Sequence, residues 1–157
     1  MTHSPVSLRC PTERDTIALG ERIGRVLARG DLIVLSGPLG AGKTVLVRGI
    51  AVGAGADAVT VRSPTFVLHH VYPGERMTVH HLDLYRLGAG ADVRFLDIGG
   101  LLDSGAVVVE WGELADLSGH TPLRVVLEID GGARVITFED GSVPRVNAAW
   151  TRDAEVT

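Results

Sequence analysis

Gly37-Pro38-Leu39-Gly40-Ala41-Gly42-Lys43-Thr44 is the stretch that decides the fold of this chain. It matches the phosphate-binding loop pattern G-x-x-x-x-G-K-[S/T]. The apolar run before it, residues 31–36 (DLIVLS), is typical of a buried parallel strand, and we expect a helix after it over residues 43–52. This strand–loop–helix context is what the pattern requires. The sequence therefore predicts a nucleotide-binding α/β fold; a glycine-rich turn that binds no nucleotide is the alternative.

The residue types of this loop suit a nucleoside triphosphate. Glycines let the backbone curl so that successive N–H groups point at phosphate oxygens, and the N-terminus of the following helix adds a positive dipole end. Lys43 places a full charge on the β- and γ-phosphates, and the Thr44 hydroxyl ligates Mg²⁺. We therefore expect every residue of the loop to contribute to nucleotide binding.

The composition is that of one globular domain. The chain has 157 residues and a mass of 16.6 kDa, and 45% of its residues are hydrophobic. We assign residues 1–140 to a single domain and residues 141–157 to a polar C-terminal tail that we expect to be loose. No apolar run approaches the roughly 18 residues of a membrane-spanning helix, and the N-terminus does not resemble a secretory signal. Because Cys10 is the only cysteine, no internal disulfide can form, and we expect a cytoplasmic protein without membrane contact.

The charge balance narrows the class of nucleotide-binding protein. The formal net charge is −4, which disfavours a broad basic surface for nucleic acid. Of the 15 basic residues, Lys43 is the only lysine, and the others are arginines. A guanine-reading Asn-Lys-x-Asp motif is therefore impossible, which excludes a Ras-type GTPase. A transporter-type ATPase is also disfavoured, because the chain has no Leu-Ser-Gly-Gly-Gln signature.

Turn and cap residues divide the rest of the chain into short elements. Thr12, with Asp15 three residues on, indicates the start of a first helix that Gly30 ends. Two hairpins are indicated, one joined by Pro73-Gly74 and one by residues 130–132. The other expected elements are an edge strand 6–10, hairpin strands 65–72 with 77–84 and 122–130 with 133–140, one or two short helices within 91–103, a buried strand 106–109, and a short helix or turn 112–117. The predicted fold class is a P-loop NTPase-like mixed sheet with parallel core strands, antiparallel additions and flanking helices.

Two carboxylates are candidates for the acidic partner that a P-loop needs to bind Mg²⁺. Glu110 follows the apolar strand 106–109, at the end of the strand where ligands bind in open α/β sheets. Asp83 lies within residues 81–86 (HLDLYR). The alternatives are a solvated glutamate at a strand end and a turn aspartate. Either carboxylate can join Thr44 in a magnesium site, and the residues alone do not decide between them.

Two histidine pairs, His69-His70 and His80-His81, fall on the two strands of the first predicted hairpin. They suggest a metal site, but adjacent residues on a strand face opposite ways, so neither pair chelates readily. No cysteine or carboxylate lies at the spacing of a further ligand. We therefore expect these histidines to be packing or surface residues.

The order of the motifs along the chain resembles one known family. The phosphate loop is followed by Ser63-Pro64-Thr65-Phe66, then by the segment at 81–86, and then by Glu110-Trp111. With residues 16–21 (TIALGE) in the first helix, this set is similar to the TsaE family, also known as YjeE, over residues 12–140. These are small bacterial P-loop ATPases required for the threonylcarbamoyladenosine modification of tRNA. The C-terminal tail lies outside the resemblance.

The resemblance implies a role for several matching residues. The segment that contains Ser63 and Thr65 resembles a switch near the γ-phosphate that responds to nucleotide; a simple Ser-Pro turn is the alternative. Asp83 and Glu110 resemble an acidic pair around Mg²⁺. At least one of them is implied to join the threonine of the phosphate loop in the metal shell, and the other to orient the attacking water. The implied catalytic set is Lys43 with these two carboxylates.

Further positions are implied at the edges of the nucleotide site. Trp111 matches a family position of functional importance, although a core or rim tryptophan is the alternative. Glu13, at the start of the first helix, is implied as a contact to the base or ribose, although a first-turn helix acid is the plainer interpretation. Tyr85 and Arg86 either hold the switch or face a partner, and Arg86 alternatively pairs with a carboxylate. His81 is expected to be structural.

The resemblance also implies a mechanism and partners. ATP, bound with Mg²⁺ at the phosphate loop, would be hydrolysed to ADP and phosphate, slowly in the isolated protein, and affinity for a partner would change. That partner is implied to be the TsaB–TsaD heterodimer, in which TsaD transfers the threonylcarbamoyl group to adenosine from an adenylate made by TsaC. tRNA would be contacted indirectly or locally. A small-molecule kinase and a non-hydrolysing nucleotide sensor remain alternatives.

Overall fold

The computed structural model describes residues 5–59, 61, 68–85, 96–112, 117 and 119–139. Within these residues the elements are β1 (Val6–Cys10), α1 (Glu13–Val26), β2 (Leu32–Ser36), α2 (Lys43–Gly53), β3 (His69–Tyr72), β4 (Thr78–Asp83), α3 (Ile98–Ser104), β5 (Gly105–Glu110), β6 (Leu123–Asp130) and β7 (Ala133–Phe138). Outside them lie Ser63, Thr65, Arg86, most of the predicted element at 112–117 and the tail at 141–157, whose predictions stay predictions. No helix in the described part of the chain is long and apolar enough to cross a membrane.

The described strands form one sheet in the order β1-β7-β6-β2-β5-β4-β3. The central strands β6, β2, β5 and β4 are parallel to one another. β7 and then β1 are added antiparallel at one edge, and β3 is added antiparallel at the other. The predicted sheet of parallel core strands with antiparallel additions is confirmed. The parallel pairing of β6 with β2 was not predicted, because a hairpin turn fixes only the pairing within its own hairpin.

β2 is the middle strand of the sheet and β5 is its neighbour, and both faces of the sheet are covered where they lie. Ile33, Leu35 and Val108 pack into a core shared with α1 and α2. Val34 and Val109 point to the opposite face, into a core that includes side chains of α3. A strand buried on both faces needs apolar side chains at successive positions, which explains the unbroken apolar runs of β2 and β5.

α1 and α2 pack with their backbones in direct contact. A Cβ atom added to Gly20 would lie 2.9 Å from the Cα of Gly49, and one added to Gly24 would lie 2.9 Å from the Cα of Gly53. Only glycine permits this approach. Because the paired positions advance together along both helices, α1 and α2 run parallel. Their N-termini therefore lie at the same end of the molecule, beside the phosphate loop.

The first helix begins as predicted and ends earlier. The Thr12 side chain accepts a hydrogen bond from the Asp15 backbone, and the Asp15 carboxylate accepts one from the Thr12 N–H, so the predicted capping box is confirmed. The helix ends at Val26 and not at Gly30, because Leu27 turns into an extended conformation. Both predicted hairpins are confirmed by the antiparallel pairs β3–β4 and β6–β7. α3 begins within the segment 91–103 that was predicted to hold one or two short helices.

Candidate nucleotide-binding site

The loop between β2 and α2 has a backbone that needs glycine. Gly37, Gly40 and Gly42 have φ angles of 148°, 80° and 96°. A Cβ atom on Gly37 would also lie 2.3 Å from the carbonyl oxygen of Leu127 on the adjacent strand β6. Gly42 is the N-cap of α2 and supplies no side-chain cap, so the first N–H groups of the helix remain for an anion. The predicted phosphate-loop conformation is therefore present.

Lys43 is almost completely enclosed by this loop. Lys43 is only 5% exposed. Its Nζ donates to the carbonyl oxygens of Gly37 at 2.6 Å and Pro38 at 2.9 Å. The same atom lies 4.0 Å from the centroid of the Trp111 ring, which adds a cation–π contact. These contacts fix a positive charge on the wall of the loop.

Thr44 and Glu110 come together beside Lys43. The Thr44 hydroxyl donates toward the Glu110 carboxylate, 3.1 Å from Oε1 and 3.2 Å from Oε2. Glu110 is 2% exposed. Parallel pairing of β2 with β5 places Glu110 opposite Leu35, so both strands end at the edge where the phosphate loop begins. The structure thus brings the predicted threonine into contact with one of the two predicted carboxylates.

Asp83 lies at the same edge, one strand further along the sheet. It stands opposite Glu110 in the pairing of β4 with β5, and its Oδ1 accepts a hydrogen bond from the Tyr85 N–H at 3.1 Å. The side chains of Lys43, Thr44, Asp83 and Glu110 line one cavity of 290 Å³. Its lining residues are Leu39, Gly40, Gly42, Lys43, Thr44, Val45, Asp83, Tyr85, Glu110 and Trp111. We call this space the phosphate cavity.

Trp111 occupies an unusual backbone position at the end of β5. Its φ angle is 61°, a region that favours glycine, and its N–H donates to the carbonyl oxygen of Leu35 at 3.2 Å. The ring packs against Tyr85 with 5.1 Å between the centroids, and Tyr85 is 51% exposed. This backbone geometry turns the indole toward Lys43 and away from the path of a continuing strand. Trp111 is therefore a rim residue of the phosphate cavity.

A second cavity of 260 Å³ lies on the other side of the phosphate loop. It shares Gly40, Gly42 and Val45 with the first, and its other lining residues are Cys10, Thr12, Glu13, Thr16, Gly132 and Arg134. Glu13 thus lines the same cavity as two glycines of the loop, and its implied contact with the base or ribose stays a prediction. Burial raises the pKa of the Cys10 thiol, so this thiol adds no charge to the cavity at neutral pH. We call this space the nucleoside cavity.

Arg134 is a residue of this cavity that the sequence did not indicate. It lies on β7, and its Nε donates to the carbonyl oxygen of Gly40 at 3.2 Å. The C-terminal hairpin thereby touches the phosphate loop. One arginine among many in the sequence carries no local signal, because its position depends on the parallel pairing of β6 with β2.

The four hairpin histidines lie on both faces of the sheet. His69 Nε2 and His80 Nδ1 are 3.0 Å apart, and His80 Nε2 is 2.8 Å from the Ser104 hydroxyl, so this pair packs toward α3. His81 is 3% exposed and is hydrogen bonded through Nε2 to Oε2 of Glu110. This contact with the site was not expected. The sequence could have indicated it only through strand pairing, because side chains on the same face of adjacent parallel strands contact each other, as His81 and Glu110 do.

Comparison with known proteins identifies the family. The sequence model of the threonylcarbamoyl adenosine biosynthesis protein TsaE matches residues 10–135. The chain belongs to the TsaE family. It is 46% identical over 132 residues to TsaE of Mycobacterium leprae, covering 76% of this chain and 80% of the relative. It is 39% identical over 137 residues to TsaE of Treponema pallidum, covering 83% of this chain and 98% of the relative.

Family membership confirms the resemblance and gives the protein a role in tRNA threonylcarbamoyladenosine biosynthesis. A TsaE of Streptomyces coelicolor is also similar, 47% identical over 115 residues, which cover 71% of this chain and 76% of the relative. Among solved structures, Bacillus subtilis YdiB matches with a TM-score of 0.75 and 23% identity, covering 98% of each chain. This likeness confirms the predicted fold class.

Proposed function

We propose that this TsaE-family protein is an Mg²⁺-dependent ATPase that acts as a nucleotide switch for the TsaB–TsaD complex. The observation that supports this most directly is the contact of the Thr44 hydroxyl with the Glu110 carboxylate, beside the Lys43 ammonium on the wall of the phosphate cavity. P-loop ATPases need a hydroxyl, a carboxylate and a lysine of this kind to bind a metal–triphosphate complex. The family role in tRNA threonylcarbamoyladenosine biosynthesis supplies the setting. We place the protein in the cytoplasm as part of the same proposal.

The oxygen donors fit a magnesium ion that arrives with its nucleotide. The described residues contain no cluster of three or more histidine, cysteine, aspartate or glutamate side chains that could bind a metal ion without other ligands. Mg²⁺ in nucleotide sites needs no such group, since it takes most ligands from phosphates and water and only one or two from the protein. Thr44 and Glu110 would hold the ion directly or through water. When bound, it would neutralise charge on the β- and γ-phosphates.

Asp83 is placed to act on the attacking water. Its carboxylate lines the phosphate cavity and is held by the Tyr85 N–H. We assign it the role of orienting the water and accepting a proton as the new oxygen–phosphorus bond forms and the bond to the β-phosphate oxygen breaks. Glu110, which already contacts Thr44, takes the metal-binding role. The two carboxylates that the sequence left undivided thus receive different functions.

The nucleoside cavity suits the base and ribose of ATP. It adjoins the phosphate cavity across Gly40 and Gly42, so a nucleotide whose phosphates fill the loop would extend into it. Glu13 can accept hydrogen bonds from ribose hydroxyls or an exocyclic amine, and Arg134 can stack on a base or donate to it. These two residues are proposed contacts of the nucleoside.

A change at Lys43 would accompany binding. In this structure the Lys43 ammonium donates to the carbonyl oxygens of Gly37 and Pro38. A bound triphosphate would replace these oxygens as its hydrogen-bond acceptor. Ser63 and Thr65 are proposed to respond to the γ-phosphate, which would pass the nucleotide state to TsaB–TsaD. Hydrolysis by the isolated protein is then slow, because the site is completed by the partner.

Release of phosphate from γ-labelled ATP tests this function. The protein is assayed alone, with reconstituted TsaB–TsaD, and with TsaB–TsaD plus tRNA. We expect slow hydrolysis alone and a marked stimulation by the complex, and neither for Lys43→Ala, which should fail to bind ATP. An unstimulated rate in the assembled complex would contradict the switch. Label that appears on a small metabolite and not as free phosphate would indicate a kinase.

A further inference from the structure

His81 is a buried residue of the β3–β4 hairpin, and its side chain contacts the carboxylate of Glu110, the candidate metal ligand. It lies on β4 opposite Val108 of β5, and Glu110 follows two residues later on the same face. Its Nε2 is hydrogen bonded to Oε2 of Glu110, and both residues are almost fully buried. The Glu110 carboxylate therefore has His81 on one side and Thr44 on the other.

The hydrogen bonding of His81 defines its tautomer. An ionised Glu110 can only accept a hydrogen bond, so Nε2 of His81 carries the proton. Nδ1 is buried and has no hydrogen-bond partner among the described residues, so the hydrogen bond to Glu110 is made through Nε2 alone. The ring thus directs its Nε2–H at Glu110.

Aromatic neighbours hold the His81 ring in this orientation. Tyr72 lies against it with 6.1 Å between the ring centroids and 26° between the planes. His70, its partner across the β3–β4 pair, lies 6.4 Å away by the same measure. Because both neighbours come from β3, the edge strand of the sheet restricts the donor that touches Glu110.

We propose that His81 is a positioning residue that fixes the Glu110 carboxylate for Mg²⁺, an inference that rests on the proposed function. A free carboxylate rotates about its terminal bond, and the bond from His81 removes that freedom before the metal arrives. With Oε2 held by His81, the carboxylate faces the Thr44 hydroxyl, which lies 3.1 Å from Oε1 and 3.2 Å from Oε2. Loss of such an outer partner typically costs about 10–100-fold in metal affinity.

A purely structural role would give a different result, and the chain offers a matched control. His80 is the preceding residue on β4, is 6% exposed, and bonds to His69 and Ser104 toward the opposite face. Replacing either histidine removes a side-chain hydrogen bond made by a buried residue of the same strand. Only the replacement of His81 should change how much Mg²⁺ increases the affinity for nucleotide.

The experiment measures the affinity of a fluorescent ATP analogue in Mg²⁺ and in EDTA, so that the readout is binding and not hydrolysis. We expect His81→Asn to reduce the Mg²⁺-dependent gain in affinity about tenfold or more, with affinity in EDTA unchanged. His81→Gln should recover most of the gain, because its longer side chain carries an N–H donor close to the place of Nε2. His80→Gln should keep the wild-type gain.

Two results would overturn the inference in distinguishable ways. If the wild-type protein gains affinity from Mg²⁺ and His81→Asn gains as much, then His81 does not position Glu110. If the wild-type protein binds ATP with no gain from Mg²⁺, then the proposed function fails and the inference fails with it. Asn and Gln are both uncharged amides, so their comparison separates donor position from polarity, and melting curves verify that each variant is folded.

Discussion

The Thr44 hydroxyl lies 3.1 Å and 3.2 Å from the two carboxylate oxygens of Glu110, although 66 positions separate these residues in the chain. Thr44 lies in the first turn of a helix and Glu110 ends a strand, and the parallel pairing of β2 with β5 brings them together. Under the proposed function, this contact is a pair of oxygen ligands for Mg²⁺ that the protein assembles before the metal arrives. Its chemical use can be tested at either residue.

Glu110→Gln should separate nucleotide binding from hydrolysis. The amide keeps the shape of the side chain and removes the negative charge that Mg²⁺ requires. We expect ATP to bind in EDTA with near-normal affinity, while the Mg²⁺-dependent gain falls by more than the roughly 10–100-fold cost of losing an outer partner. Calorimetric titration with and without Mg²⁺ measures both. A variant that retained the full gain would assign the metal-binding carboxylate to Asp83.

Trp111 should report occupancy of the phosphate loop by its fluorescence. The Lys43 ammonium lies 4.0 Å from the centre of the indole, and a bound triphosphate would draw that charge away. The chain contains two tryptophans, so the measurement uses a Trp150→Phe background, which leaves Trp111 alone. We expect a change in emission that saturates with ATP concentration.

Lys43→Ala in the same background is the control for this fluorescence change. It should show a different initial emission, because the cation is absent, and no response to ATP. A Trp111 signal that stays constant while a separate binding assay shows saturation would mean that Lys43 keeps its place over the ring.

Gly49→Ala should destabilise the protein despite the higher helix propensity of alanine. The added Cβ would lie 2.3 Å from the carbonyl oxygen of Ile17 in α1, so the helices must separate. Overpacking of this kind costs about 1–3 kcal/mol, which outweighs a propensity gain of about 1 kcal/mol. Thermal unfolding measures the loss as a lower Tm.

Gly99→Ala is the matched control for this packing prediction. Gly99 lies in α3, and nothing stands within 4 Å of an added Cβ. Its substitution should leave the Tm unchanged or raise it. Equal loss of stability in both alanine variants would show that helix packing is not the cause.

The unfolding free energy should decrease below pH 6.5 through the histidines that pack toward α3. Burial lowers the pKa of His69 and His80 below the ordinary value of 6.5. The unfolded chain then binds more protons than the folded one as the pH falls, so this contribution is present above pH 6.5 and is lost in more acidic solution.

Urea unfolding between pH 5 and 8 tests this dependence. His80→Leu should show a smaller decrease in unfolding free energy over the acidic range than the wild-type protein does. The comparison concerns the slope with pH and not the absolute stability, which the substitution also changes. An unchanged slope would place the effect in other groups.

Local sequence patterns were sufficient for much of the site. The phosphate loop, the capping box at Thr12 and the apolar strand before Glu110 each depend on residues close together in the chain, and the structure has them as predicted. The contact of His81 with Glu110 and the position of Arg134 depend on which strands are neighbours and in which register. Such pairings are long-range, and no short pattern encodes them. For the same reason the sequence could not divide the roles of Asp83 and Glu110.

The hydrogen bond from Arg134 to Gly40 has a consequence for the biosynthesis of the protein itself. The nucleoside cavity takes its walls from Cys10 and Glu13 near the start of the chain and from Gly132 and Arg134 near its end. A nascent chain that has left the ribosome only as far as β6 has made the phosphate loop but lacks one wall of the pocket. With ATP bound in this cavity as we propose, full affinity for nucleotide would be acquired only after translation of β7, and ATP would stabilise completed molecules over truncated ones.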